Sequence, residues 1–337
     1  MPLMNKEINK VAIVRLSALG DIVNSAVVLQ FIKAKYPSIE IEWITEEIFA
    51  PLLEAHPHID KLHTINLKKL KKEKSFTLLQ ATISKLQTLN NFDIIIDMQG
   101  LIKSAIVARL IGKNTHGFDK NSTRESLAAL LYKGTSSISY ESNVVTRNCF
   151  VVGDALGFEI SDTMLLNKEA IFPISKSFVL QKSLKNIAIV IGASWKSKVY
   201  PRELVAELCN LLHEQCYIIW GNESERQNAE WICENSSFAI LAPELKLDEL
   251  VSFISHMDLL IGNDTGPTHM AWAQNIPSIT LFGPTSSRMI YETPTNIAIK
   301  SPSNVNILKI DKNDFSIKEI KAEEIAKHAK ELLKDGL

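Results

Sequence analysis

The chain has 337 residues, 46% of them hydrophobic and 22% charged, the make-up of a soluble globular protein with room for about two domains. With 37 basic and 38 acidic residues the net charge is −1, so chain-wide attraction to nucleic acid is excluded and any anion site has to be local. The four cysteines, Cys149, Cys209, Cys216 and Cys233, form no C-x-x-C pair and no Cys/His cluster, which argues against a zinc or disulfide framework and for free thiols in a reducing cytosol.

The opening MPLMNKEINK lacks the apolar stretch of a secretion signal. A β-branched run, VAIVRL (11–16), predicts a buried strand, and R-L-S-A-L-G-D-I-V (15–23) follows from it. Gly20 permits a tight turn, and Asp21 begins a helix over 22–35 that sets Val23, Val27 and Phe31 on one side. Asp21 reads in two ways: as a cap of that helix, or as a carboxylate at a strand's carboxyl end, placed to act as a general base. The loop lacks G-x-G-x-x-G, which disfavours the usual dinucleotide fingerprint.

Strands are also predicted at 39–45 and 61–65. Lys68, Lys69, Lys71, Lys72 and Lys74 then crowd a segment that continues as amphipathic SFTLLQATISKL. Such a run is either a solvated helix face or a contact for anionic lipid or phosphate, where each basic charge is worth ~1 kcal/mol. A fourth strand, 93–97, leads into IIIDMQGLIKSAIVARLIG, an apolar stretch broken by Asp97, Lys103 and Arg109 and therefore too interrupted to span a membrane. Arg124 and Arg147 add further basic charge on separate segments.

Residues 159–185 interrupt the strand–helix alternation, which restarts at Asn186. The reading is therefore a first domain over 1–165, a linker over 166–185 with Pro173 inside it, and a second domain over 186–320. A closing helix over 321–337 is expected to pack back on the first domain.

The second half predicts strands at 186–194, 216–221, 238–241, 258–264 and 278–283. G-A-S-W-K-S-K-V-Y-P (192–201) ends the first of them, and Ser194 with Lys196 or Lys198 suits a phosphate there, as it would suit a solvated loop. In W-G-N-E-S-E-R (220–226), Glu223 or Glu225 could take ribose hydroxyls or simply favour a helix start. In L-L-I-G-N-D-T-G-P-T-H-M-A (259–271), a buried strand runs into Asp264, Thr265 and Gly266, and Pro267 suits a first helical turn. The free N–H groups of that turn make an anion cradle fitted to a diphosphate, which His269, one turn on, could also face. D-x-D, H-E-x-x-H and P-loop motifs are missing, so a metal-bridged diphosphate is disfavoured.

Near-continuous Ile/Val/Leu runs alternating with amphipathic helices predict an α/β protein: two Rossmann-like, doubly wound parallel-sheet domains facing a central cleft.

Taken together, S-A-L-G-D (17–21), D-M-Q-G-L-I-K-S-A (97–105), T-R-E-S-L-A (123–128), G-N-D-T-G-P-T-H (262–269) and F-G-P-T (282–285) resemble the lipopolysaccharide heptosyltransferases, glycosyltransferase family 9, over nearly the whole chain. The resemblance implies a GT-B fold and metal-independent, inverting transfer of heptose from ADP-heptose to the Kdo of Kdo-lipid A, without a cofactor. By position it implies Asp21 as catalytic base and Lys198 as the phosphate-binding catalytic lysine. It places Ser194, Glu225, Asp264, Thr265, Gly266 and His269 at the donor, and Ser17, Lys103, Arg124 and Arg147 at the acidic acceptor. It further implies a peripheral enzyme on the cytoplasmic face of the inner membrane, touching anionic lipid. A sibling heptosyltransferase, a GT-B nucleotide-sugar epimerase and a non-catalytic nucleotide-binding protein are the alternatives; the last would have no need of Asp21.

Overall fold

Twelve strands form two six-stranded sheets among the described residues, which in this computed structural model are 8–181 and 183–335. Residues 1–7 of the opening segment, Lys182 of the expected linker and residues 336–337 of the expected closing helix lie outside that range. The first sheet comprises β1 (Lys10–Val14), β2 (Glu40–Glu46), β3 (Lys61–Ile65), β4 (Ile94–Asp97), β5 (Thr115–Phe118) and β6 (Gly134–Ser136). The second comprises β7 (Asn186–Val190), β8 (Gln215–Ile219), β9 (Ala239–Leu241), β10 (Leu259–Asn263), β11 (Ser278–Phe282) and β12 (Asn296–Lys300).

Every pairing is parallel, with registers such as Ile13 opposite Trp43 and Ile261 opposite Ile189. The apolar runs explain this: β1, β7 and β10 are buried on both faces, as only a parallel sheet covered by helices requires. The strand orders are β3-β2-β1-β4-β5-β6 and β12-β11-β10-β7-β8-β9. Read from β9, the second sheet repeats the first. Each order reverses once, between β1 and β4 and between β7 and β10. Helices leave such neighbouring strands toward opposite faces, so a crevice opens at their carboxyl ends, where open α/β sheets bind ligands.

The chain divides into two units, Met1–Ile171 and Phe172–Leu337. One core gathers Val14, Leu16, Ile44, Ile95 and Ala108 around the first sheet; the other gathers Ile187, Ile218, Ile261, Leu281 and Val205 around the second. The expected linker is not a free tether. Phe172 exchanges two 2.9 Å hydrogen bonds with the Gln274 amide, Ser175 donates its N–H to Ser252 Oγ, and Phe178 packs edge-on against Phe253 at 5.0 Å. All of these ties lie within the carboxy-terminal unit.

Three differences from the sequence reading have local causes. Strands β5, β6 and β12 were not anticipated, because THGF and GTS are short and polar and NIAIK shows only a weak apolar run. The helix expected over 22–35 is two, Leu19–Ala26 and Val28–Lys35, and begins earlier because Asp21 accepts the N–H of Ala18. The closing helix, Ala322–Asp335, expected to pack on the first domain, packs its apolar face within the carboxy-terminal unit. Its Ile325, Ala326, Ala329 and Leu332 join the core that holds Val205, Leu208 and Cys209, so its apolar stripe is already covered there. The four cysteines are free, three of them buried.

Candidate active site

In the amino-terminal unit the loops after β1 and β4 are sewn together. Met98 donates its N–H to Val14, and Leu16 donates its own to the Gln99 side chain at 2.9 Å. Arg15, only 6% exposed, donates to the Met98 carbonyl and meets Asp21 at 2.8 Å. The other Asp21 oxygen accepts the Ala18 N–H at 3.2 Å. Asp21 satisfies the N–H of the N-cap residue, at the helix end where the dipole favours an anion, and its side chain remains 28% exposed. Lys103 Nζ donates to Ser17 Oγ at 3.0 Å, bringing these two residues to the same strand ends, while Arg124 is exposed.

Beneath them Asp97 is fully buried and accepts from Tyr132 Oη at 2.6 Å and from the N–H groups of Gln99 and Gly100. Burial pushes its carboxyl above the ordinary value despite these bonds. Gly100 takes φ +67°, and a Cβ there would stand 2.9 Å from the Phe118 ring, so only glycine lets this loop turn.

In the carboxy-terminal unit the loops after β7 and β10 are joined in the same way. The Asn263 amide donates to the carbonyls of Ile191 and Gly192 and accepts the Tyr200 N–H at 3.1 Å. Next in sequence, Asp264 is 4% exposed. One oxygen meets Lys198 Nζ at 2.7 Å and Thr285 Oγ1 at 2.8 Å; the other meets His269 Nε2 at 3.3 Å. Burial alone would raise this carboxyl, but the His269 hydrogen bond and the Lys198 ammonium outweigh it and hold the group well below the usual carboxylate range. Thr265 stands at the N-cap of Gly266–Ala273 without using its side chain to cap the helix. Within the first turn Thr268 and His269 donate their N–H groups to the Thr265 carbonyl and Pro267 has none, so the Gly266 N–H and the Thr265 hydroxyl are what this helix start offers an anion.

Beside this cluster lies a cavity of about 500 Å³ lined by Ser194, Trp195, Lys196, Arg202, Glu225 and Asn228, among others. Glu225 accepts the Gly221 N–H at 2.8 Å, and a Cβ on Gly192 would come within 2.6 Å of its carboxyl, so the missing side chain makes room for it. Glu223 is exposed and turns toward Arg226 and Gln227. Of the two lysines, Lys196 lines the cavity and is exposed; Lys198 is buried against Asp264.

Two strand-end loops in each unit, with a buried carboxylate–lysine pair at a helix start in one and a partly exposed carboxylate in the other, suit a nucleotide-dependent transferase. Residues 83–320 match the model of glycosyltransferase family 9 (heptosyltransferase). The chain belongs to this family. It is 40% identical to lipopolysaccharide heptosyltransferase 1 of Campylobacter coli, over 97% of this chain and 99% of that protein. It is 26% identical to the Escherichia coli protein of the same name, over 83% and 90%. The E. coli heptosyltransferase WaaC with ADP-2-deoxy-2-fluoro heptose superposes with a TM-score of 0.78 at 22% identity, over 96% of this chain and 99% of that one. The fold of this family 9 glycosyltransferase is thus GT-B.

Three of the expected site residues, Asp264, Arg147 and His269, are buried and bonded within the protein, Asp264 by Lys198, Thr285 and His269. Arg147 is 6% exposed; its guanidinium donates to the carbonyls of Ser122, Ile138 and Ser139 and lies 4.5 Å over the Phe118 ring. Those bonds tie the 122–139 loops together. His269, also buried, meets the Asp264 carboxylate at 3.3 Å. Residues not singled out from sequence are Arg15, Asn263, Thr285 and Trp195. Thr285 lies in the F-G-P-T element, and Arg15 begins the loop that carries Asp21, so position in those motifs was the available signal. Among the described residues, no cluster of three or more His, Cys, Asp or Glu side chains is disposed to hold a metal, and no helix is long and apolar enough to cross a membrane.

Proposed function

We propose that this glycosyltransferase moves heptose from ADP-heptose to the Kdo of Kdo-lipid A, with inversion at the transferred carbon. The observation that carries the reading is the 40% identity, end to end, with a protein named lipopolysaccharide heptosyltransferase 1. The geometry of each unit supports it.

Asp21 accepts the proton of the attacking acceptor hydroxyl as the new bond forms. Arg15 holds its carboxylate in one orientation, which lowers the cost of aligning the base. Ser17, Lys103 and Arg124, at or near the same strand ends, meet the acidic sugars of the acceptor. In the other unit Ser194 and Glu225 hold the nucleoside in the cavity, and the diphosphate rests on the Thr265–Gly266 helix start with Lys198 beside it. As the glycosidic bond breaks, negative charge collects on the departing ADP. The Gly266 N–H, the Thr265 hydroxyl and Lys198, anchored by Asp264 and through it by His269, stabilise that charge without a metal ion.

The acceptor's acyl chains stay in a bilayer, so the amino-terminal unit has to approach an anionic surface. The exposed Lys68, Lys69, Lys71, Lys72 and Lys74 precede a helix, Phe76–Thr88, whose Phe76 and Leu79 are 77% and 45% exposed. Basic charge beside exposed apolar side chains suits the headgroup region.

The test is incubation of purified protein with ADP-heptose and Kdo-lipid A, with and without EDTA, followed by mass spectrometry of the lipid. One added heptose in both arms is expected. Transfer only to an already heptosylated core would assign the chain to a sibling specificity. Release of altered ADP-sugar without transfer would mean an epimerase, and loss of activity in EDTA would overturn the metal-free reading.

A further inference from the structure

Between β12 and the closing helix the chain makes a long excursion whose neck is pinned. Ser301 Oγ and Ser316 Oγ lie 2.8 Å apart, Ser303 donates to the Asp314 carboxylate, and Ser316 donates its N–H to the same carboxylate at 2.9 Å. Just beyond the neck Ile317 is buried beneath Gly283, where a Cβ would stand 2.8 Å from it and 3.4 Å from the Ser197 carbonyl, and Ile320 accepts Tyr200 Oη at 2.8 Å. This strap, residues 304–313, is thus seated against the 195–200 turn that carries Lys198. It holds two lysines, Lys309 and Lys312, and one aspartate, Asp311, for a net charge of +1.

Lys312 Nζ stands 5.1 Å from the centre of the Trp195 ring, and Lys198 Nζ stands 5.0 Å from the same centre. The two ammonium groups are therefore no more than about 10 Å apart, on an indole that also lines the nucleotide-sized cavity. Their charges are not equivalent. Lys198 is buried against Asp264 at 2.7 Å, so that pair is neutral overall. Lys312 is exposed, and its charge is not cancelled by a buried partner.

We propose that Lys312 is a second cation of the donor site, which brings uncompensated positive charge to the diphosphate of a nucleoside diphosphate sugar seated on the Thr265–Gly266 helix start. The proposal rests on the donor reading above and adds a residue to it. The leaving nucleoside diphosphate carries one more negative charge than the bound sugar nucleotide, while the Lys198–Asp264 pair offers a dipole and no net charge. The strap ammonium supplies what the pair has cancelled. Trp195 keeps it there, since an indole face attracts an ammonium and holds it without neutralising it.

The experiment is titration calorimetry of wild type, Lys312→Ala and Lys312→Arg with ADP, AMP and adenosine at low and high salt. ADP affinity is expected to fall about fivefold in Lys312→Ala, the weight of one exposed charge. The loss should shrink at high salt, be smaller for AMP and vanish for adenosine, and Lys312→Arg should restore it. Unchanged ADP affinity in Lys312→Ala at low salt, or an equal loss for adenosine, overturns the proposal and makes the strap structural only. Wild-type protein that binds no ADP overturns the donor reading itself, and the Lys312 role falls with it.

Discussion

The Lys198–Asp264 pair can be interrogated by removing its charges one at a time. At 2.7 Å, and with side chains 9% and 5% exposed, the gross attraction is about 6 kcal/mol at an effective dielectric constant of 20. Most of that is cancelled by the cost of taking both ions out of water, so the damage on removing one partner comes from the charge left behind. For a buried pair this is about 3–5 kcal/mol. Lys198→Met should fall at the lower end, near 3 kcal/mol, because Asp264 keeps the Thr285 hydroxyl and the His269 ring. Asp264→Asn strands the ammonium and should cost a similar amount. The double variant strands neither and should recover about 2 kcal/mol of the summed losses. The assay is urea unfolding; on the proposed donor reading ADP should raise the midpoint of the carboxy-terminal unit's transition, which identifies the transition to follow. The pH dependence has a definite sign. The folded carboxyl of Asp264 lies below the ordinary value, so its contribution is present above the unfolded pKa of about 3.9 and is lost as the pH falls through and below it. Asp264→Asn should flatten that acid limb. Single variants within about 0.5 kcal/mol of wild type, with additive effects in the double variant, would refute the paired-charge account.

Asp21→Ala should bind ADP as wild type does but turn over ~10²–10⁴-fold more slowly, as measured by heptose transfer; near-normal turnover would leave Asp21 a capping residue alone. Arg147→Ala should destabilise the amino-terminal unit by about 2–4 kcal/mol, because three backbone carbonyls lose their donor, whereas Arg124→Ala should leave the unfolding midpoint alone and raise the KM for acceptor. A stable Arg147→Ala enzyme with weakened acceptor binding would reverse these roles. Replacing Lys68, Lys69, Lys71 and Lys72 by Ser should weaken flotation with anionic vesicles at low salt and change little at high salt; unaltered binding at low salt would make the run a solvated face.

The sheets were legible because their central strands are almost wholly apolar. VAIVRL and NIAIVIGAS admit little except a strand covered on both faces, and they became β1 and β7. The edge strands β5 and β6 were not legible, since THGF and GTS owe their strand geometry to the neighbour they pair with and not to their own side chains. The closing helix shows the same limit. Its stripe of Ile325, Ala329 and Leu332 announces that one face must be covered, yet nothing in a stripe names the surface that covers it.

For the site, sequence position carried chemistry further than it carried geometry. The loops after β1, β7 and β10 could be picked out because a glycine and short polar residues follow an apolar strand there, with a proline also in the last two. What those residues do to each other depends on strand order, which no local pattern records. β7 and β10 are neighbours in the sheet though distant in the chain, and that adjacency brings Lys198 to Asp264 and the Asn263 amide to Ile191. The same adjacency changes the meaning of Asp264. Alone at a helix start it reads as a donor ligand; beside Lys198 it is a counter-ion that fixes the lysine while cancelling its charge. In the proposed reaction a departing diphosphate would be served by that oriented ammonium, by the Thr265–Gly266 helix start and by whatever further cation the fold brings near. In this chain the 304–313 strap brings one, held on the indole that Lys198 also touches.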